Sequence, residues 1–194
     1  MPLKECMKKT VTFGLVISAV CSSVGIVAAE PHRSRNGFTF GAALMAGQLG
    51  CTTSDGADCN SSGASEAGGL ALRAGVMVQP NLAVVLDLSG MAHREDRVKT
   101  SQTLAAITAR GWLAPRLWLE GGVGIARSSA EYDLTVVNVV DESENVLGGL
   151  VGVGFEVISS RNLALDVGLR GATSFYRNDV RLYNVALTVG VSFF

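Results

Sequence analysis

Much of this chain alternates. Apolar side chains recur at every second position in short glycine-rich runs, the period of a strand with one apolar face. Leu70, Leu72, Ala74, Val76 and Val78 share a face, against Ala71, Arg73, Gly75, Met77 and Gln79. Leu82, Val84, Leu86 and Leu88 oppose Ala83, Val85, Asp87 and Ser89. Leu117, Leu119, Gly121, Val123 and Ile125 oppose Trp118, Glu120, Gly122 and Gly124. Leu163, Leu165, Val167 and Leu169 oppose Ala164, Asp166, Gly168 and Arg170. The last run sets Tyr183, Val185, Leu187, Val189, Val191 and Phe193 against Asn184, Ala186, Thr188, Gly190 and Ser192. Residues 38–48, 102–112 and 146–158 are looser versions. The pattern predicts eight strands of about ten residues or slightly more, the length a tilted strand needs to cross a bilayer. A ten-stranded count arises if 131–145 and part of 49–66 pair as further strands.

The connections sort by length. Gln79-Pro80-Asn81-Leu82, Ala114-Pro115-Arg116-Leu117 and Ser160-Arg161-Asn162-Leu163 are short turns, each opening a strand with Leu. Between them lie 49–66, 93–101, 127–145 and 177–180, mostly longer and polar. Short periplasmic turns alternating with long external loops are the habit of membrane barrels. The face opposite the Val/Leu stripe is mostly Gly, Ala, Ser and Thr with a few charges. That is a poor coat against water but a good filling for a narrow lumen. The apolar stripe then faces lipid, and closure removes the sheet edges that hydrocarbon cannot satisfy. A soluble lipocalin-like barrel or sandwich is the competing reading.

The N-terminus is of a different kind. Lys4, Lys8 and Lys9 precede a charge-free, mostly apolar stretch from Val11 to Ala29 that ends in Val27-Ala28-Ala29. This order predicts a signal peptide, 1–29, cleaved after Ala29, then a short tail, 30–37, and the barrel, 38–194. Translation starts at Met1 or Met7. Charged residues are 17% of the chain and the formal net charge is −1, which gives no basic field and excludes nucleic acid as a partner. Cleavage removes three of 16 basic and one of 17 acidic residues, leaving 13 and 16, a net −3 with Lys99 the single lysine. A soluble exported domain would carry more lysine on its surface.

The resemblance these features carry is to the small eight-stranded outer-membrane barrels of Gram-negative bacteria, the outer-membrane protein A and X type. It covers 36–194 and implies an all-β, eight-stranded antiparallel up-and-down transmembrane barrel in the outer membrane. It also implies a C-terminal aromatic that resembles the signal read by the barrel assembly machinery. Here Phe193 is in phase with the apolar positions before it and the final Phe194 is not, so either is a candidate for that reading. Nothing like the family's peptidoglycan-binding domain follows the barrel.

By parity the lumen receives Arg73, Asp87, Arg110, Glu120, Glu156, Asp166 and Arg170. Arg73 and Asp87 each lie seven residues from Pro80, and Arg110 and Glu120 each lie five from Pro115. Folding about those prolines sets both pairs across from each other on adjacent strands. Trp112 and Trp118 mirror about Pro115 as well. The third hairpin brings Glu156 near Asp166, with Arg170 further along. An eight-stranded interior is just wide enough for side chains to fill, so these charges must pair. The choice is between a network that plugs or gates the barrel and charges that satisfy each other in a closed core.

Other candidates are fewer. Cys51 and Cys59 in the first long loop predict a disulfide, worth roughly 2–3 kcal/mol through chain entropy. Asp55 and Asp58 between them match no calcium-loop spacing. Ser89, His93 and Glu95 at the external rim are the nearest approach to a hydrolase triad, but their spacing differs from that of the lipid A deacylases, where His and Ser lie two apart. No catalytic residue, cofactor or metal is therefore predicted. Trp112, Trp118, Phe193 and Phe194 read as a periplasmic aromatic girdle, and Tyr132, Phe175, Tyr176 and Tyr183 as the external one. The expected function is non-enzymatic: envelope integrity or surface interaction through loops 49–66 and 127–145, in contact with outer-membrane lipid. A lipid A-modifying enzyme, a narrow channel and a soluble binding barrel are the alternatives.

Overall fold

The computed structural model describes residues 35–53, 64–95, 98–134, 137–142, 144–160, 162–176 and 180–194. The predicted signal peptide with its cleavage site, Cys59, Asp55 and Asp58 lie outside these residues, as do the side chains of Glu95 and Tyr132.

Among the described residues nine strands follow one another: β1 (Phe38–Thr52), β2 (Ser65–Gln79), β3 (Leu82–Glu95), β4 (Val98–Trp112), β5 (Leu117–Leu134), β6 (Val137–Glu142), β7 (Val146–Ser159), β8 (Leu163–Phe175) and β9 (Arg181–Phe193). All the pairings are antiparallel between chain neighbours, except that β5 passes over β6 to β7 and β1 returns to β9. Together with the β4–β5 pairing, this closes eight of them into a barrel. No backbone edge then faces hydrocarbon.

β6 stands apart from the ring. β5 pairs with β7 over Leu117–Ala126 and with β6 over Ser129–Leu134. Ser129–Leu134 of β5 and Val137–Glu142 of β6 thus form a two-stranded ribbon on the long-loop end, and the barrel itself keeps eight strands. The strands of the ring run 13–18 residues, longer than the ten or so predicted, so their external ends project past the bilayer.

Alternation decides the two faces. Outward positions hold Leu44, Leu72, Leu86, Ile107, Val123, Val151, Leu169 and Leu187, all exposed on the isolated barrel. Inward positions are buried and small or polar: Ala43, Ala71, Ala83, Ala106, Ala164, Ala186, Thr108 and Thr188. The inward glycines answer to curvature. A Cβ on Gly124 would collide with the carbonyl of Ala105 across the β4–β5 seam, whereas a Cβ on the outward Gly121 comes no nearer than 3.9 Å to Leu150 O. Gly124→Val should therefore destabilise the barrel by about 1–3 kcal/mol through overpacking. Gly121→Ala should stay within about 0.5 kcal/mol. Urea unfolding in lipid vesicles reads both.

Candidate functional site

The candidate site is the lumen, which is filled in tiers. At the external end Gln102 donates to Ser174 Oγ (2.5 Å) and Asn184 donates to Gln102 Oε1 (2.8 Å), among two apolar clusters, one holding Met45 and Met91 and the other Leu104 and Leu150. A void beside Ser89, Met91, Gln102 and Arg170 holds about 10 Å³, room for no more than about one water.

Below it lies the main charge cluster. Arg73 and Asp87 are register partners, and Arg73 Nε donates to Asp87 Oδ2 at 3.2 Å. Arg110 and Glu120 are partners across β4–β5, with Nε and Nη2 both donating to Oε2 at 3.0 and 2.6 Å. Arg170, on β8, reaches over the lumen and forks onto Asp87: Nη1 to Oδ2 at 2.7 Å and Nη2 to Oδ1 at 2.6 Å. Its Nη2 also donates to Ser89 Oγ at 3.0 Å. Glu120 Oε1 lies 3.8 Å from Arg73 Nη2 and 3.9 Å from Arg170 Nη1, which ties the two groups together. The guanidinium of Arg110 stacks on Trp118 at 4.1 Å from the ring centroid.

The third hairpin behaves differently. Glu156 and Asp166 are register partners, but their side chains find separate company. Asp166 accepts from Ser192 at 3.4 Å and has no cation within 4.0 Å among the described residues. Glu156 belongs to the periplasmic mouth. Its Oε1 accepts from Trp112 Nε1 at 2.6 Å and its Oε2 from Arg35 Nη2 at 2.7 Å. Arg35 precedes β1 and was no candidate on sequence grounds. It also donates to Pro115 O at 3.1 Å and lies over the rings of Trp112 and Phe194, at 4.5 and 5.3 Å.

The signal that would have found Arg35 is arithmetic. The strands send three cations (Arg73, Arg110, Arg170) and four acids (Asp87, Glu120, Glu156, Asp166) inward. With Arg35 the buried charges among the described residues number four of each sign.

The periplasmic girdle needs correction. Trp112 and Trp118 are buried, 5% and 1% exposed, because they share the inward parity of Arg110 and Glu120. They plug the mouth rather than anchor it. Phe194 is half-buried and meets Trp112 edge-on at 5.7 Å, while Phe193 faces lipid. Phe38, Phe40 and Phe155, also exposed, complete the belt at that end. Externally Phe175 is exposed, and Tyr176 and Tyr183 are partly so.

Two of the three rim-triad candidates are engaged elsewhere. Ser89 Oγ is engaged by Arg170, and His93 Nδ1 bonds the carbonyl of Glu66 at 2.5 Å. Cys51 is disulfide-bonded.

Over residues 18–193 the chain matches the family model described as the outer membrane protein beta-barrel domain. It belongs to that family. It is an outer-membrane barrel whose apolar face sits in lipid. Among solved structures, Neisserial surface protein A is similar with a TM-score of 0.59 at 17% identity, over 80% of this chain and 96% of that one. Ail, the attachment invasion locus protein of Yersinia pestis, is similar with a TM-score of 0.60 at 12% identity, over 82% of this chain and 100% of Ail. At such identities the likeness carries the fold. No curated protein matches in sequence.

Asp87 is the hub of the lumen, since two arginines converge on it. Asp87→Ala should lower the unfolding free energy by about 3–5 kcal/mol, or block assembly, because it leaves both cations buried beside a cavity. Arg73→Met should cost less, because Arg170 keeps both oxygens of Asp87 bonded. Equal losses in urea unfolding would contradict this ranking.

Proposed function

We propose that this protein is a non-enzymatic outer-membrane barrel with a plugged lumen, serving envelope integrity or surface interaction through 49–66 and 127–145. The observation that carries the reading is the β5–β6 ribbon. About ten residues suffice to cross the bilayer, and β5 has 18. The surplus of roughly eight residues, at about 3.3 Å each along strands tilted by about 35–45°, lifts the ribbon about 20 Å beyond the lipid. A lumen filled with charges that, Asp166 apart, are ion-paired supports a plug over a channel, and the engagement of Ser89 by Arg170 speaks against hydrolase chemistry at the rim.

The external end also offers cations. Arg94, Lys99 and Arg127 are exposed on the outward faces of β3, β4 and β5, with Arg94 opposite Lys99 in register. Ail has been crystallised with the heparin analogue sucrose octasulfate, so a sulfated saccharide is the class of surface ligand we assign first. Barrels in vesicles should be retained on heparin at low salt. Lys99→Glu with Arg127→Glu should abolish retention while the boiled-to-unboiled gel shift persists. Unaltered retention would remove these cations from the reading. Planar-bilayer recordings should show no steady conductance, and a steady open level would favour the narrow channel instead.

Assembly divides the two terminal aromatics. Phe193 continues the lipid-facing row of Val189 and Val191, while Phe194 turns to Trp112. Phe193 is thus the residue we assign to the assembly machinery. Phe193→Ala should reduce the folded protein recovered in outer membranes more than Phe194→Ala does. The opposite ranking would exchange their roles.

A further inference from the structure

We propose that the periplasmic mouth is a guanidinium-binding site filled by the chain's own Arg35, which, tethered to β1 through Asn36 and Gly37, acts as a stopper. Four groups from distant parts of the chain build it: the Glu156 carboxylate of β7, the indole of Trp112 at the end of β4, the ring of Phe194 and the Pro115 carbonyl of the turn between β4 and β5. They offer what a guanidinium needs. A carboxylate oxygen and a carbonyl oxygen accept from the same nitrogen at 2.7 and 3.1 Å. Two aromatic rings, set edge to face at 70°, give their π-faces to the cation. An ammonium has no flat surface to lie over the two rings, so lysine is a poor substitute. The second oxygen of Glu156 is held by Trp112 Nε1, which fixes the carboxylate before the cation arrives.

Two further observations make the contact more than a surface ion pair. Arg35 is 8% exposed, and it is the cation that brings the lumen's formal charge from −1 to zero. The backbone also turns to deliver it. Gly37 has φ of +90°, while its carbonyl still accepts from Met77 N at 2.9 Å, extending the β1–β2 ladder by one bond. The chain therefore leaves the ladder at a glycine and folds back over the opening. A Cβ at Gly37 meets nothing within 4 Å, so Gly37→Ala strains the turn without touching the site.

The test uses the two tryptophans of the chain as reporters, one of them in the site. Full barrels in detergent or vesicles are quenched with acrylamide. In the wild type, quenching is low and millimolar methylguanidinium does not change it, because the site is filled. In Arg35→Ala quenching rises, methylguanidinium lowers it again, and methylammonium does not. Arg35→Lys behaves like Arg35→Ala, and Gly37→Ala falls between it and the wild type. Should Arg35→Ala fail to assemble, Arg35→Ala with Glu156→Gln removes the uncovered charge and must restore the gel shift. That double variant should show raised quenching with no response to methylguanidinium. An Arg35→Ala barrel with wild-type quenching, or one indifferent to methylguanidinium, overturns the site. So does failure of both variants to assemble.

Discussion

A backbone amide facing hydrocarbon has no water to bond, so the sheet exists in a membrane only if the first and last strands, β1 and β9, pair and complete the ring. That seam sets everything inside it. Eight strands enclose a lumen one side chain deep. The inward face must then be built of Gly, Ala, Ser and Thr wherever a larger residue sits opposite. Gly154 shows the exchange clearly: the indole of Trp118 occupies the space its side chain would need. The outer face answers to the opposite demand, apolar and bulky, because lipid will coat it.

A narrow lumen also dictates its electrostatics. Each buried charge costs several kcal/mol unless paired, and there is no bulk water within reach to screen it. The molecule answers with a fork of Arg170 on Asp87, two bonds from Arg110 to Glu120, and Glu120 bridging toward Arg73 and Arg170 at longer range. The contacts of Arg170 with Asp87 and of Glu120 with Arg73 and Arg170 join strands that are not neighbours, so they tie opposite walls of the ring together as well as neutralising it. The mouth repeats the theme with aromatics added. There Glu156 is shared between an indole and a guanidinium, and Phe194 covers the stack.

Parity read along the chain places the lumenal charges on one face, and the mirror positions about Pro80 and Pro115 are register partners. Both facts are local. A two-residue period and a tight turn fix which positions oppose each other on adjacent strands. The aromatic girdle shows where composition misleads: Trp residues near strand ends look like interface anchors, yet their parity puts Trp112 and Trp118 inside. The alternation that sends Arg110 and Glu120 inward sends both Trp residues inward too and leaves the belt to Phe38, Phe40, Phe155 and Phe193. That β6 turns back on β5 and leaves the ring is not legible in the sequence, because the choice of β7 or β6 as partner for β5 depends on the height above the membrane.

The sequence by itself determined the strands, their faces, their turns and hence the closed barrel, because each of these follows from a period of two and the length of a connection. Only the tertiary structure decided who meets across the lumen. Arg170 lies 83 residues from Asp87 and Arg35 lies 121 from Glu156. Such pairs depend on the curvature of the ring and the stagger of its strands, which bring opposite walls within reach of one long side chain. No local period encodes that distance, and the unbalanced charge of the strands is its only trace in the sequence.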